Sequence, residues 1–110
     1  MKKHCLALDL KDDPKLIAEY ELHHQNTWPE VQASILESGI EEMEIYRTQN
    51  RLFMIMVTRD DFDFSRKAEM DKSNPKVQEW EHLMWSYQKA LPLAKPGEKW
   101  ILMEQIFKLS

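Results

Sequence analysis

The segment Ile40-Glu41-Glu42-Met43-Glu44-Ile45-Tyr46-Arg47-Thr48-Gln49-Asn50-Arg51-Leu52-Phe53-Met54-Ile55-Met56-Val57-Thr58 reads as two strands joined by a tight turn. Ile40 to Thr48 and Leu52 to Thr58 are rich in β-branched and aromatic residues, and Gln49-Asn50-Arg51 supplies the turn. Successive side chains of a strand point to opposite faces. Leu52, Met54 and Met56 therefore share one face, and Phe53, Ile55 and Val57 share the other. Both faces are apolar, so this hairpin belongs inside a sheet covered on both sides.

Further elements follow on either side of it. His4 to Leu10 predicts a first strand. Asp12-Asp13-Pro14 predicts a helix start, with acids at the cap and proline in the first turn. That helix is expected to run to about Gln25. Asn26 or Thr27 is expected to cap a second helical piece, which carries Val31, Ile35 and Leu36 and stops at Gly39. After the hairpin, Phe64 to Lys72 predicts a short helix. Asn74-Pro75 opens a longer one, expected to reach about Leu91. Pro92 to Gly97 reads as a loop and Trp100 to Leu109 as a last strand. In that strand Ile101, Met103, Phe107 and Leu109 share a face, with Leu102 and Ile106 opposite.

Strand, helix, strand, strand, helix, strand is the order of a split βαβ, ferredoxin-like α+β sandwich. It predicts a four-stranded antiparallel sheet with helices on one face. The helices cover only one side of a sheet that is apolar on both. A second copy of the chain is expected to cover the other, giving a two-fold homodimer and an α+β barrel. A long loop folded over the open face would serve the same need.

Composition narrows the function. The chain has 110 residues, which fits one domain over 1–110. With 19 acidic and 15 basic residues its formal charge is −4. That lacks the basic face of a nucleic-acid binder. No apolar run approaches the roughly 20 residues of a membrane span. The N-terminus does not read as a signal peptide, because Asp9, Lys11, Asp12 and Asp13 interrupt its brief apolar stretch. A single cysteine, Cys5, excludes an internal disulfide framework and reads as a small core residue. The cytoplasm is the expected compartment. Two glycines, Gly39 and Gly97, leave no glycine-rich phosphate cradle. His4, His23, His24 and His82 do not stand at metal-ligand spacing with carboxylates.

Within the first helix, Leu16, Ile17, Tyr20 and His24 fall on one stripe. His24 lies between Tyr20 and Ile17 on the wheel and faces inward. His23 lies on the rim, where solvent is expected, and Leu22 points elsewhere. An inward His one turn from an inward Tyr suits proton transfer near neutral pH. A core histidine satisfied by a carbonyl would give the same spacing. The later stripe Val77, Trp80, Met84, Tyr87 and Leu91 reads as core packing. Trp80 could still stack on the C–H face of a sugar. Glu81, at the stripe's edge, could accept hydroxyl hydrogen bonds or face water.

The stretch Tyr20-Glu21-Leu22-His23-His24-Gln25-Asn26-Thr27-Trp28-Pro29-Glu30 resembles the Y-x-x-x-H-x-x-x-W-P-E signature of the L-rhamnose mutarotase family. The similarity continues through Gly39, Ile45-Tyr46, Leu52–Val57, Val77–Trp80 and Met103–Phe107. It implies a small cytoplasmic homodimer of ferredoxin-like fold that interconverts the α and β anomers of a deoxy-hexose without metal or organic cofactor. Carried over by position, His24 becomes the proton donor and Tyr20 a substrate contact. Trp80 matches the first of a tryptophan pair at the sugar pocket, whose second member is Glu81 here. A sugar-binding tyrosine is replaced by Met43. Tyr46 matches another family tyrosine but alternates away from Met43 and Ile45, which places it outside the site. L-rhamnose is the first sugar the resemblance implies, and the lost hydroxyl and aromatic face make L-fucose or a related sugar the second candidate. A small ferredoxin-like monooxygenase and a non-catalytic dimeric sugar-binding module are the competing functions.

Overall fold

The computed structural model describes residues 1–110. The elements run β1 (Lys2–Leu10), α1 (Pro14–Gln25), α2 (Pro29–Glu37), β2 (Ile40–Thr48), β3 (Arg51–Thr58), α3 (Phe64–Lys72), α4 (Pro75–Trp85), β4 (Gln88–Lys89) and β5 (Ile101–Leu102). All pairings are antiparallel, in the order β2-β3-β1-β4, with β5 also on β1. The expected α+β ferredoxin-like architecture is present. Its fourth strand, however, is divided into two short pieces on one edge of β1.

The pleat sorts the side chains as the hairpin predicts. Leu6, Leu8 and Leu10 of β1 are buried with Leu52, Met54 and Met56 of β3. Phe53, Ile55 and Val57 are half-buried on the opposite face, and Cys5 lies half-buried there too, not in the core. Asp9 and Arg51 face each other across β1 and β3. Arg51 donates two hydrogen bonds to the Asp9 carboxylate, at 2.7 and 3.0 Å.

Three helices begin where the sequence says. Asp13 accepts from the amides of Lys15 and Leu16, Asp63 from that of Ser65, and Asn74 from those of Lys76 and Val77. The start of α2 differs. Trp28 is its N-cap and makes no side-chain cap bond. Asn26 and Thr27 turn back instead and donate to the carbonyls of Leu22 and His24, at 3.3 and 3.2 Å. They close α1 and do not open α2. Gly39 ends α2 with φ +102°, the left-handed geometry expected of it, and a Cβ there would sit 3.3 Å from the Arg59 guanidinium.

Two other expectations fail. The helix α4 stops at Trp85, short of Leu91. Tyr87 and Leu91 are buried as the stripe requires, but from outside the helix. The reason is the free edge of β1. The Tyr87 carbonyl accepts from the amide of Lys11, and Gln88 pairs with Leu10. Backbone groups that would be orphaned at the sheet edge are thereby satisfied. The last strand is only Ile101–Leu102, followed by one bond from the Met103 amide to the Cys5 carbonyl. Beyond it the chain is irregular. Ile106, Phe107 and Leu109 are 93%, 75% and 88% exposed. No helix is long and apolar enough to cross a membrane.

Candidate active site

The inner sheet face and the helices enclose a cavity of about 650 Å³. Its floor is Leu6, Met43, Ile45, Met54 and Met56, and all four helices contribute to its roof. An apolar cavity of this size with a few convergent polar groups is the usual form of a small-molecule site.

The predicted residues meet here. Tyr20, His24, Met43, Trp80 and Glu81 all line this one cavity. Tyr46 does not. It is 53% exposed on the other sheet face, with its hydroxyl on the Glu44 carboxylate.

His24 sits on the last turn of α1. Its ring centroid is 4.3 Å from that of Tyr20 and 5.6 Å from that of Trp80. Its Nδ1 lies 3.0 Å from the Tyr20 carbonyl oxygen. A carbonyl only accepts, so Nδ1 carries the hydrogen, and in the neutral ring Nε2 holds a lone pair. No protein group bonds Nε2. Burial holds the His24 pKa below its ordinary value; the bond to Tyr20 opposes this in part, and the nearby His23 adds to it. The ring is thus neutral at pH 7 and able to take a proton.

Tyr20 is 3% exposed. Burial pushes its phenol up to about 12, against a smaller downward pull from a Gln88 hydrogen bond. It keeps its proton at neutral pH and can donate it in a hydrogen bond. Trp80 lines the cavity and lies in tilted, edge-type contact with the rings of His24 and Trp28, at 5.6 and 5.3 Å between centroids. Glu81 is half-buried, with Gln78 Nε2 3.5 Å from its carboxylate.

His23 departs from expectation. It does not reach freely into water but is half-buried, with Nε2 3.1 Å from the Tyr87 hydroxyl. It does not line the cavity.

Three polar features escaped the sequence reading. Gln88 lines the cavity from β4, a strand hidden inside the extended helical stripe. Lys99 enters just before β5. Its Nζ donates to the Glu81 carbonyl at 3.2 Å and lies 4.8 Å from the Trp85 ring centroid. Burial holds its pKa below the ordinary lysine value, with partial compensation by Glu81. The i,i+4 ion pair Lys67–Asp71, at 2.5 Å, forms part of the α3 wall. That spacing is visible in the sequence, but nothing in it says which way α3 faces. No group of three or more His, Cys, Asp or Glu side chains is arranged to hold a metal ion.

The family described as L-rhamnose mutarotase matches residues 3–109, nearly the whole chain. The chain belongs to the L-rhamnose mutarotase family. Among its relatives, an L-fucose mutarotase of Xanthomonas campestris pv. campestris is 49% identical over 112 residues, covering 100% of this chain and 90% of that one. A UPF0734 protein of Dictyostelium discoideum is 36% identical, covering 98% and 90%. The L-rhamnose mutarotase of Formosa agariphila superposes with a TM-score of 0.73 at 20% identity, over 100% of both chains. Tetracenomycin F2 cyclase of Streptomyces glaucescens superposes with 0.62 at 18% identity, over 100% and 98%. These two structures share the fold with this mutarotase-family chain. The second one shows that the same frame houses unrelated chemistry.

Proposed function

We propose that this protein interconverts the α and β anomers of a 6-deoxy-L-hexose by acid–base ring opening, with L-fucose the first substrate to test and L-rhamnose the second. Family membership supports the reaction, and the 49% identical L-fucose mutarotase moves L-fucose ahead of the sugar that names the family. The single observation that carries the mechanism is the free Nε2 of His24 beside the protonated Tyr20 phenol in one apolar cavity.

In the forward direction Nε2 of His24 takes the proton of the anomeric hydroxyl. The C1–ring oxygen bond breaks, and the ring oxygen gains a proton from Tyr20 or from a water held by it. The aldehyde turns about C1–C2, and the same transfers run backwards to close the ring on the other face. General acid–base assistance of this kind contributes roughly 10²–10⁴-fold. Trp80 packs on the sugar's C–H face, Glu81 accepts a hydroxyl, and Met43 offers apolar contact where a tyrosine would offer a hydrogen bond.

NMR exchange spectroscopy on a panel of L-fucose, L-rhamnose and their epimers tests this. Faster anomer exchange on a 6-deoxy sugar is the expected result. Binding with no acceleration on any sugar would turn the protein into a sugar-binding module.

The lowered His24 pKa fixes the sign of the pH response. Activity requires the neutral ring, so the acid limb of the exchange rate is expected below pH 6.5, the unperturbed imidazole value. Stability moves in the same direction. The unfolded imidazole binds its proton first as pH falls, so the His24 contribution is full above about 6.5 and is lost toward the lower folded value. A rate profile centred above 6.5 would mean that another group titrates.

A two-fold dimer is part of the same proposal. The half-buried outer face of β3 and the exposed Ile106, Phe107 and Leu109 are apolar surface that a second copy would cover. Light scattering is expected to give twice the 13.2 kDa of one chain, and a single-chain mass would refute the dimer. A reducing cytoplasm suits a chain whose one cysteine is free.

A further inference from the structure

Gln88 is 5% exposed and lines the cavity. Its side-chain Nε2 donates to the Tyr20 hydroxyl at 3.4 Å. Its Oε1 has no hydrogen-bond partner, alone among the buried side-chain nitrogens and oxygens of the chain. Turning the amide over exchanges its two ends and leaves the count unchanged: one end meets Tyr20 and the other meets nothing. Folded proteins rarely leave a buried amide half-satisfied, because its lost hydration is not made good. A methionine or leucine would fill this place in an otherwise apolar floor without that penalty. The amide is in contact with the one phenol that the proposed chemistry uses.

We infer that Gln88 is a sugar-hydroxyl ligand, and a specificity-determining residue, of this cavity: its free amide end and the Tyr20 hydroxyl form an adjacent acceptor–donor pair that takes one hydroxyl group of a pyranose. This rests on the mutarotase reading of the site. A hydroxyl group both donates and accepts. Oε1 accepts the hydroxyl proton, and the hydroxyl oxygen accepts the Tyr20 O–H in the closed-ring complex; on ring opening that same proton passes to the ring oxygen. The sugar thereby completes the bonds the protein leaves open. Sites that hydrogen-bond a substrate hydroxyl reject analogues lacking it far more strongly than apolar pockets sort by size. Gln88 therefore distinguishes epimers that differ at that one carbon.

Gln88→Met tests this in the full-length protein. The KM for the best 6-deoxy sugar is expected to rise about tenfold, the equivalent of one lost hydrogen bond, while kcat changes less than roughly threefold. Among monodeoxy analogues of that sugar, the one lacking the recognised hydroxyl is expected to be disfavoured by wild type and not by the variant. The melting temperature is expected to hold or rise, since the unpaired oxygen is gone. A lower melting temperature with unchanged KM and unchanged analogue selectivity would make Gln88 a packing residue only and overturn the inference. If the variant does not fold, titration of ¹⁵N-labelled wild type with the sugar decides. The Gln88 side-chain amide pair must shift, and its constancy at saturation overturns the inference. Active wild type with an unchanged variant refutes the ligand alone. Wild type that accelerates no sugar, yet whose Gln88 amide shifts on binding, refutes the mutarotase reading and keeps the ligand.

Discussion

His24→Ala is expected to lower anomer exchange by roughly 10²–10⁴-fold, toward the rate of the free sugar in water. It does so with little effect on the fold. The imidazole sits on the last turn of α1 and makes one hydrogen bond, to the Tyr20 carbonyl. Losing that bond costs about 1 kcal/mol. His23→Ala is the matched control, one residue away on the same turn. It removes the bond to the Tyr87 hydroxyl and lowers stability by a similar ~1 kcal/mol. Its exchange rate stays near wild type because His23 does not line the cavity. Exchange rates and melting curves of both variants check the pair. Equal loss of rate would mean that the wrong imidazole has been set against the sugar.

Trp80→Ala produces the largest change in stability. Trp80 is 8% exposed and packs in the cluster that holds Leu10, Tyr20, Val31, Leu52, Met84 and Tyr87. Truncating a core tryptophan costs about 3–5 kcal/mol, a large share of the roughly 5–15 kcal/mol a domain possesses. The melting temperature is expected to drop by more than about 10 °C. The KM is expected to rise as well, because the proposal packs this ring on the sugar. Trp80→Phe separates the two effects: it keeps an aromatic wall and restores most of the stability. Kinetics at low temperature, where Trp80→Ala remains folded, give the binding effect alone. An unchanged KM there would remove Trp80 from the sugar's surroundings.

The hairpin and its two faces were legible from residues 40 to 58 because a period of two is a local property of the chain. The inward turn of His24 was legible too, since helical spacing fixes which residues share a stripe. The end of α4 was not. Tyr87 and Leu91 continue the apolar spacing of Val77, Trp80 and Met84, yet they are buried from outside the helix. Only the unfilled edge of β1, distant in sequence, decides that Gln88 leaves the helix for the sheet. The same tertiary cause leaves Gln88 unmarked in the sequence. The position of His23 has a related cause. A helical wheel puts it on the rim, and the Tyr87 hydroxyl that occupies this rim comes from the connection between α4 and β4. Alternation in Ile101–Leu109 reads as a long strand, yet pairing with β1 stops at Leu102 and the one further bond of Met103.

The bond between His24 Nδ1 and the backbone of its own helix holds Nε2 as the open nitrogen of the imidazole and, in the proposed cycle, as its one working atom. A tethered base of this kind must meet both anomers from a single position. The moving part of the cycle is then the substrate: a torsion of the opened aldehyde, carried out against stationary walls, presents the opposite carbonyl face for closure.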